Sequence, residues 1–129
     1  MRGNAYLAVG YHKNAVEDYT TAIKLKGGNY PAYNARGLAY MYLEEWDLAN
    51  LDFNRAYTMR GNNPNTAAYT SAYYWAYSKN RDKSLGHLRR ALMLGYKDID
   101  GLYDKRGLGY FLKGLNATPG FKKLVDGYR

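Results

Sequence analysis

The chain has 129 residues, no cysteine, 47% hydrophobic residues, a mean hydropathy of −0.63 and a net charge of +8. Such a composition fits one amphipathic, soluble domain that can bury a core rather than a disordered polymer, and it excludes disulfides, thiolate chemistry and cysteine metal sites. No apolar stretch approaches the ~20 residues that cross a bilayer, and Met1 to Tyr11 lacks a basic segment followed by a compact apolar one, so no membrane span or leader is expected.

Apolar spacing predicts helices throughout. Arg2-Gly3, Ala5-Tyr6, Ala15, Asp18, Ala22, Gly27 and Asn29 return 34 residues later as Arg36-Gly37, Ala39-Tyr40, Ala49, Asp52, Ala56, Gly61 and Asn63. A unit this short cannot close a core, so its apolar faces must be buried on the next copy. Each unit reads as two amphipathic helices joined by a turn. In the first, about 1–29, His12 falls in that turn and Gly27-Gly28 ends the pair.

The second unit, about 30–63, places Tyr33, Gly37, Tyr40 and Met41 on one face, then Ala49, Phe53, Ala56 and Tyr57 on another, at steps of three and four. Between them, Glu44 and Glu45 precede Trp46 where a helix N-terminus favours acidic groups, and Gly61 before Asn62-Asn63-Pro64 is expected as a C-cap glycine. A third unit, about 65–97, follows with a one-residue shift: Ala72, Trp75, Ser84, Leu88 and Ala91 replace Gly37, Tyr40, Ala49, Phe53 and Ala56. Residues 98–129 form a terminal cap. Glycines at 107, 109 and 114 predict short, broken helices, after which Thr118-Pro119 opens a helix with Phe121, Leu124, Val125 and Tyr128 on one face.

These residues resemble the tetratricopeptide repeat family, in its bacterial form with three repeats and a C-terminal cap. The small and large pattern is carried by Gly3, Tyr6, Ala15, Tyr19 and Ala22 and again by Gly37, Tyr40, Ala49, Phe53 and Ala56. The resemblance implies an all-α superhelix, a solenoid of helix-turn-helix units, over the whole chain. Tyr6, Tyr19, Tyr33, Tyr40 and Tyr57 then become core. In the register of Tyr33 the first unit needs a residue before Met1, so a piece of a longer protein is expected ahead of the alternative, a natural start that exposes a partly formed edge; the exposed first repeat could also self-associate.

The resemblance also implies a concave, peptide-binding groove lined by first helices. Asn4, Asn34, Leu38, Met41, Tyr42, Tyr69, Thr70, Tyr73 and Tyr77 are its candidate residues. Tyrosine offers apolar area with a polar tip, and asparagine pairs with a peptide backbone. The alternative for Tyr69, Tyr73 and Tyr77 is packing on a neighbouring helix or on the cap. The family's carboxylate clamp is not supported: only Asn4 matches it, while Ala35, Thr66 and Thr70 occupy positions that would need asparagine or basic residues.

A second class of function follows from charge. Residues 79–129 hold twelve Lys and Arg against five Asp, so +7 of the +8 lies there. Arg89, Arg90, Lys105, Arg106, Lys122 and Lys123 could meet nucleic acid or another polyanion, with solvated surface as the bland alternative and no nucleic-acid motif present. Catalysis is not expected. His12 and His87 lack ligand spacing for a metal, Glu17-Asp18 and Glu44-Glu45 sit near helix starts, and Gly107-Leu108-Gly109 lacks a third glycine of a dinucleotide loop. The expected activity is a non-catalytic protein-interaction scaffold without cofactor or metal, in an undetermined compartment, bacterial cytoplasm or periplasm.

Overall fold

The computed structural model describes the backbone of residues 2–27 and 29–128, with side chains from residue 10 onward. The protein is all-α: the described residues contain helices and turns and no strand. In chain order the helices are α1 (Arg2–Lys26), α2 (Tyr30–Tyr42), α3 (Trp46–Met59), α4 (Pro64–Ser78), α5 (Arg81–Met93) and α6 (Pro119–Asp126). Three single 3-10 turns, Asp100–Leu102, Leu108–Tyr110 and Leu115–Ala117, fill the glycine-rich stretch before α6, as its sequence predicts. Contacts cluster in two compact units, Met1–Gly61 and Asn62–Arg129.

Helix starts follow local chemistry. The Asn29 side chain accepts a hydrogen bond from the Ala32 amide at 3.0 Å, and Asn63, one repeat later, accepts from Asn65 at the same distance. Each precedes a proline in the first turn, whose missing N–H is harmless there. Asn80 caps α5 through the Lys83 amide, and Thr118 caps α6 through the Phe121 amide.

In the first unit α2 packs on α3 and on α1. The small and large residues interlock as their pattern requires: Ala49, Phe53 and Ala56 are fully buried, and a Cβ on Gly37 would lie 2.7 Å from Phe53 Cε1. In the second unit α4 packs on α5, with Ala72, Leu88 and Ala91 fully buried. Here Ala72 and Leu88 take the places of Gly37 and Phe53, and two buried serines, at the positions of Arg36 and Ala49, bond across the helix pair. Ser71 Oγ donates to the Ser84 carbonyl at 2.7 Å and Ser84 Oγ donates to the Ser71 carbonyl at 2.8 Å, which satisfies both hydroxyls across a close helix pair. The segment before α6 adds Leu102, Leu112 and Leu115 to this core, and α6 adds Phe121 and Val125.

Both hairpins turn through a left-handed residue that is not glycine. Glu44 has φ 58° and Lys79 has φ 53°, positions equivalent after the one-residue shift. In the first repeat the expected turn is absent: α1 runs unbroken through His12 for 25 residues. Gly10, the counterpart of Glu44, is helical there, so His12 is not a turn residue. Local hydrogen bonding explains this, because a continuous helix keeps every interior backbone pair that a turn would open.

Several packing expectations are corrected. Gly61 does not provide a left-handed cap; Arg60, extended at φ −153°, ends α3 with its amide on the Ala56 carbonyl. Gly27 does adopt φ +67° after α1. Tyr33 is buried, but Tyr40 and Tyr57 are only partly so, and Tyr19 is 36% exposed. Tyr6 lies outside the described side chains. On α6, Phe121 and Val125 are buried and Leu124 is half-buried, while Tyr128, beyond the end of the helix at Asp126, is exposed.

Candidate functional site

The aromatic density of α4 sets the candidate surface. Its ring-bearing residues divide by face. Tyr74 stacks on His87 of α5, with centroids 5.2 Å apart and planes 11° from parallel, and Lys83 Nζ stands 5.3 Å from the same ring. Trp75 donates its indole N–H to the Lys113 carbonyl at 3.0 Å, beneath Lys79 Nζ at 4.8 Å. These two rings hold α4 to the rest of its unit.

The other stripe, Tyr69, Tyr73 and Tyr77, advances by four residues and so stays on one side of the helix. Tyr73 lies against Tyr77, centroids 5.7 Å apart, and is itself buried. Tyr77 is 52% exposed. Tyr69 is half-buried and edges a hollow of about 430 Å³ bounded by Pro64, Asn65 and the Gly95–Asp98 loop. Burial, then Asp98 and then Tyr69, drives the Tyr96 hydroxyl well above its ordinary pKa. It therefore stays protonated, in a hollow that Asn65 and Asp98 also line. Rings, a protonated hydroxyl and the polar groups of Asn65 and Asp98 match the mixed chemistry of a polypeptide.

The remaining candidates are placed less favourably for contact. Asn34 and Met41 are buried in the first unit, as is Thr70 in the second, where its hydroxyl donates to the Thr66 carbonyl at 2.7 Å. These three are interior residues as the chain stands. Leu38 and Tyr42 are half-buried, and Tyr42 stacks on His12 at 4.2 Å with planes 3° apart. The Asn4 side chain lies outside the described residues.

Arg89 and Arg90 are exposed on α5, where they line an open hollow of about 540 Å³ with Lys83, His87, Met93 and Leu94. Lys105, Arg106, Lys122 and Lys123 are exposed and do not line it. His87 is no plain surface residue: burial, then Arg90 and Lys83, depress its pKa. Burial depresses His12 likewise. Among the described residues, no group of three or more His, Asp or Glu is placed to hold a metal ion.

One polar cluster is not among the expected site residues. Arg36 grips Asp52 in a two-pronged pair, Nε to Oδ2 at 2.9 Å and Nη2 to Oδ1 at 2.8 Å, and Nη1 donates to Thr20 Oγ1 at 3.2 Å. The guanidinium also lies 5.5 Å from the centroid of Tyr33 and 5.8 Å from that of Tyr40. The hydrogen bond to Asp52 raises its pKa further, so the group is permanently charged. The signal was the recurrence of Arg and Asp at one spacing, Arg2 with Asp18 and Arg36 with Asp52. Its place between α2, α3 and α1 makes it a structural bolt.

No family model, curated protein or solved structure matches this chain.

Proposed function

We propose that the chain is a repeat module of the tetratricopeptide type, with its hairpins belonging to a superhelix, and that it is a non-catalytic scaffold binding a segment of a partner protein. The carrying observation is the division of the α4 rings. Tyr74 and Trp75 are committed to internal contacts, whereas Tyr69 reaches the hollow beside Asn65 and Tyr96 and Tyr77 is open to solvent. Eight residues separate Tyr69 from Tyr77, about 12 Å along the helix, enough for a short extended or helical segment to meet both. The resemblance of the 34-residue pattern supports the same reading.

A peptide library selected on the full chain, with counter-selection on Tyr69→Ala/Tyr77→Ala, tests it. Enriched peptides should bind the wild type and lose at least about tenfold in affinity on the double variant, which removes two aromatic anchors. Selection without enrichment, or equal affinity for both proteins, contradicts the reading. Tyr73 is left intact because its buried ring would confuse binding with folding.

A second reading rests on Lys83, Arg89 and Arg90 converging on one hollow of α5. Under it, labelled single- or double-stranded nucleic acid binds with a steep salt dependence that Arg89→Ala/Arg90→Ala flattens. Binding indifferent to salt removes it.

A further inference from the structure

We infer that the hollow on α5 is a docking seam for an acidic amphipathic helix of a partner protein. The inference takes up the hollow on which the second reading rests and gives it a polypeptide occupant in place of nucleic acid; the tyrosine surface of α4 plays no part in it. Lys83, Gly86, His87, Arg90 and Leu94 follow one another along the hollow at steps of three and four residues and their neighbours, the stripe that one helix turns toward another. In the second repeat the equivalent face holds Asp52, gripped by Arg36. The third repeat gives up that bolt, since Ser71 stands at the position of Arg36 and His87 at that of Asp52. Lys83 and Arg89 replace Leu48 and Asn54, and Arg90 keeps the charge of Arg55. Among the described residues no carboxylate lines the hollow.

Shape and charge agree on the occupant. Gly86 stands where the second repeat has Leu51, and a Cβ there would meet nothing within 4 Å, so the helix backbone lies open to close approach. Met93 is 67% exposed and Leu94 is half-buried, which adds apolar wall to that gap. At about 3.6 residues per turn, Gly86 and Met93 fall between Lys83 and Arg90 on one side and Arg89 on the other. An apolar strip flanked on both sides by cations is the complement of a helix whose apolar stripe is flanked by carboxylates. Nucleic acid would use the cations alone. The one ring in the hollow, His87, already stacks on Tyr74, and Met93 offers apolar contact that a phosphate backbone does not reward.

A display library of randomised helical peptides, selected on the full 129-residue chain carrying Tyr69→Ala/Tyr77→Ala, tests the seam with the α4 surface silenced. Enriched peptides should carry apolar residues at steps of three and four with Asp or Glu on both flanks. Their affinity should fall roughly tenfold or more on adding Lys83→Ala/Arg89→Ala, and by as much on adding Gly86→Leu, which fills the seam and keeps every charge. The leucine has room, so circular dichroism should show unchanged helicity. No enrichment, enriched peptides that are neutral or basic, or affinity indifferent to Gly86→Leu overturns the inference and leaves the tyrosine reading untouched. Labelled single- or double-stranded DNA whose binding Gly86→Leu abolishes also overturns it, and makes nucleic acid the occupant.

Discussion

Arg36 and Asp52 show how much one residue pair can decide. Asp52 is 5% exposed and its partner 17%, so removal of the carboxylate strands a guanidinium that water barely reaches. Asp52→Ala should cost about 3 kcal/mol in a urea denaturation. A loss below about 1 kcal/mol would show that solvent already screens the pair. Titration of the histidines makes a second statement at this scale. Both His87 and His12 have folded-state pKa values below the ordinary 6.5, so the unfolded chain binds protons more readily. Stability is then complete above pH 6.5 and falls as pH drops from there through the lower folded values. Urea midpoints at about pH 7.5 and about pH 5 should differ, and His87→Gln should narrow the difference. Equal midpoints in the wild type contradict the burial of these rings.

The helices divide into places where a side chain fits and places where it cannot. A methyl at Gly37 meets Phe53 at 2.7 Å, whereas one at Gly86 on α5 meets nothing within 4 Å. Gly37→Ala should therefore destabilise by about 1 to 3 kcal/mol through overpacking, and Gly86→Ala should stabilise by about 1 kcal/mol through helix propensity. Thermal melts moving in the same direction for both would contradict the assigned interface. Glu44 is a further element-level test, because its left-handed turn costs about 1 kcal/mol that glycine avoids. Glu44→Gly should raise the melting temperature.

Much of this was readable in residue spacing. Ala49, Phe53 and Ala56, and their shifted equivalents Ser84, Leu88 and Ala91, are the buried contacts their period implies, and Thr118-Pro119 does open α6. The first hairpin was not readable. Its residues repeat those of the second, but a turn at Gly10 gains only if its two halves find each other, and periodicity records compatibility rather than that balance. The surface of α4 was partly readable. A step of four puts Tyr69, Tyr73 and Tyr77 on one side, yet it does not say that Tyr73 is covered, that Tyr96 arrives beside Tyr69, or that Thr70 spends its hydroxyl on Thr66. Those facts come from the loop after α5 and from local hydrogen bonding, which spacing within α4 does not encode.

For the molecule as a whole, charge and ring chemistry compete to define the working surface. The second unit combines an aromatic edge on α4 with the basic hollow of α5. No helix among the described residues is long and apolar enough to cross a membrane. Positive charge of this size raises encounter rates with acidic partners without specifying what is held, whereas the Tyr69 hollow offers shaped contacts that can discriminate.

Amide chemical-shift mapping separates these roles most directly, with a selected peptide titrated into the isotopically labelled full chain. The shifts should concentrate at Asn65, Tyr69, Tyr77 and the 95–98 loop and should persist at high salt. Shifts confined to Lys83, Arg89, Arg90 and their neighbours, vanishing with salt, would contradict a peptide-binding aromatic face and leave the basic hollow as the site.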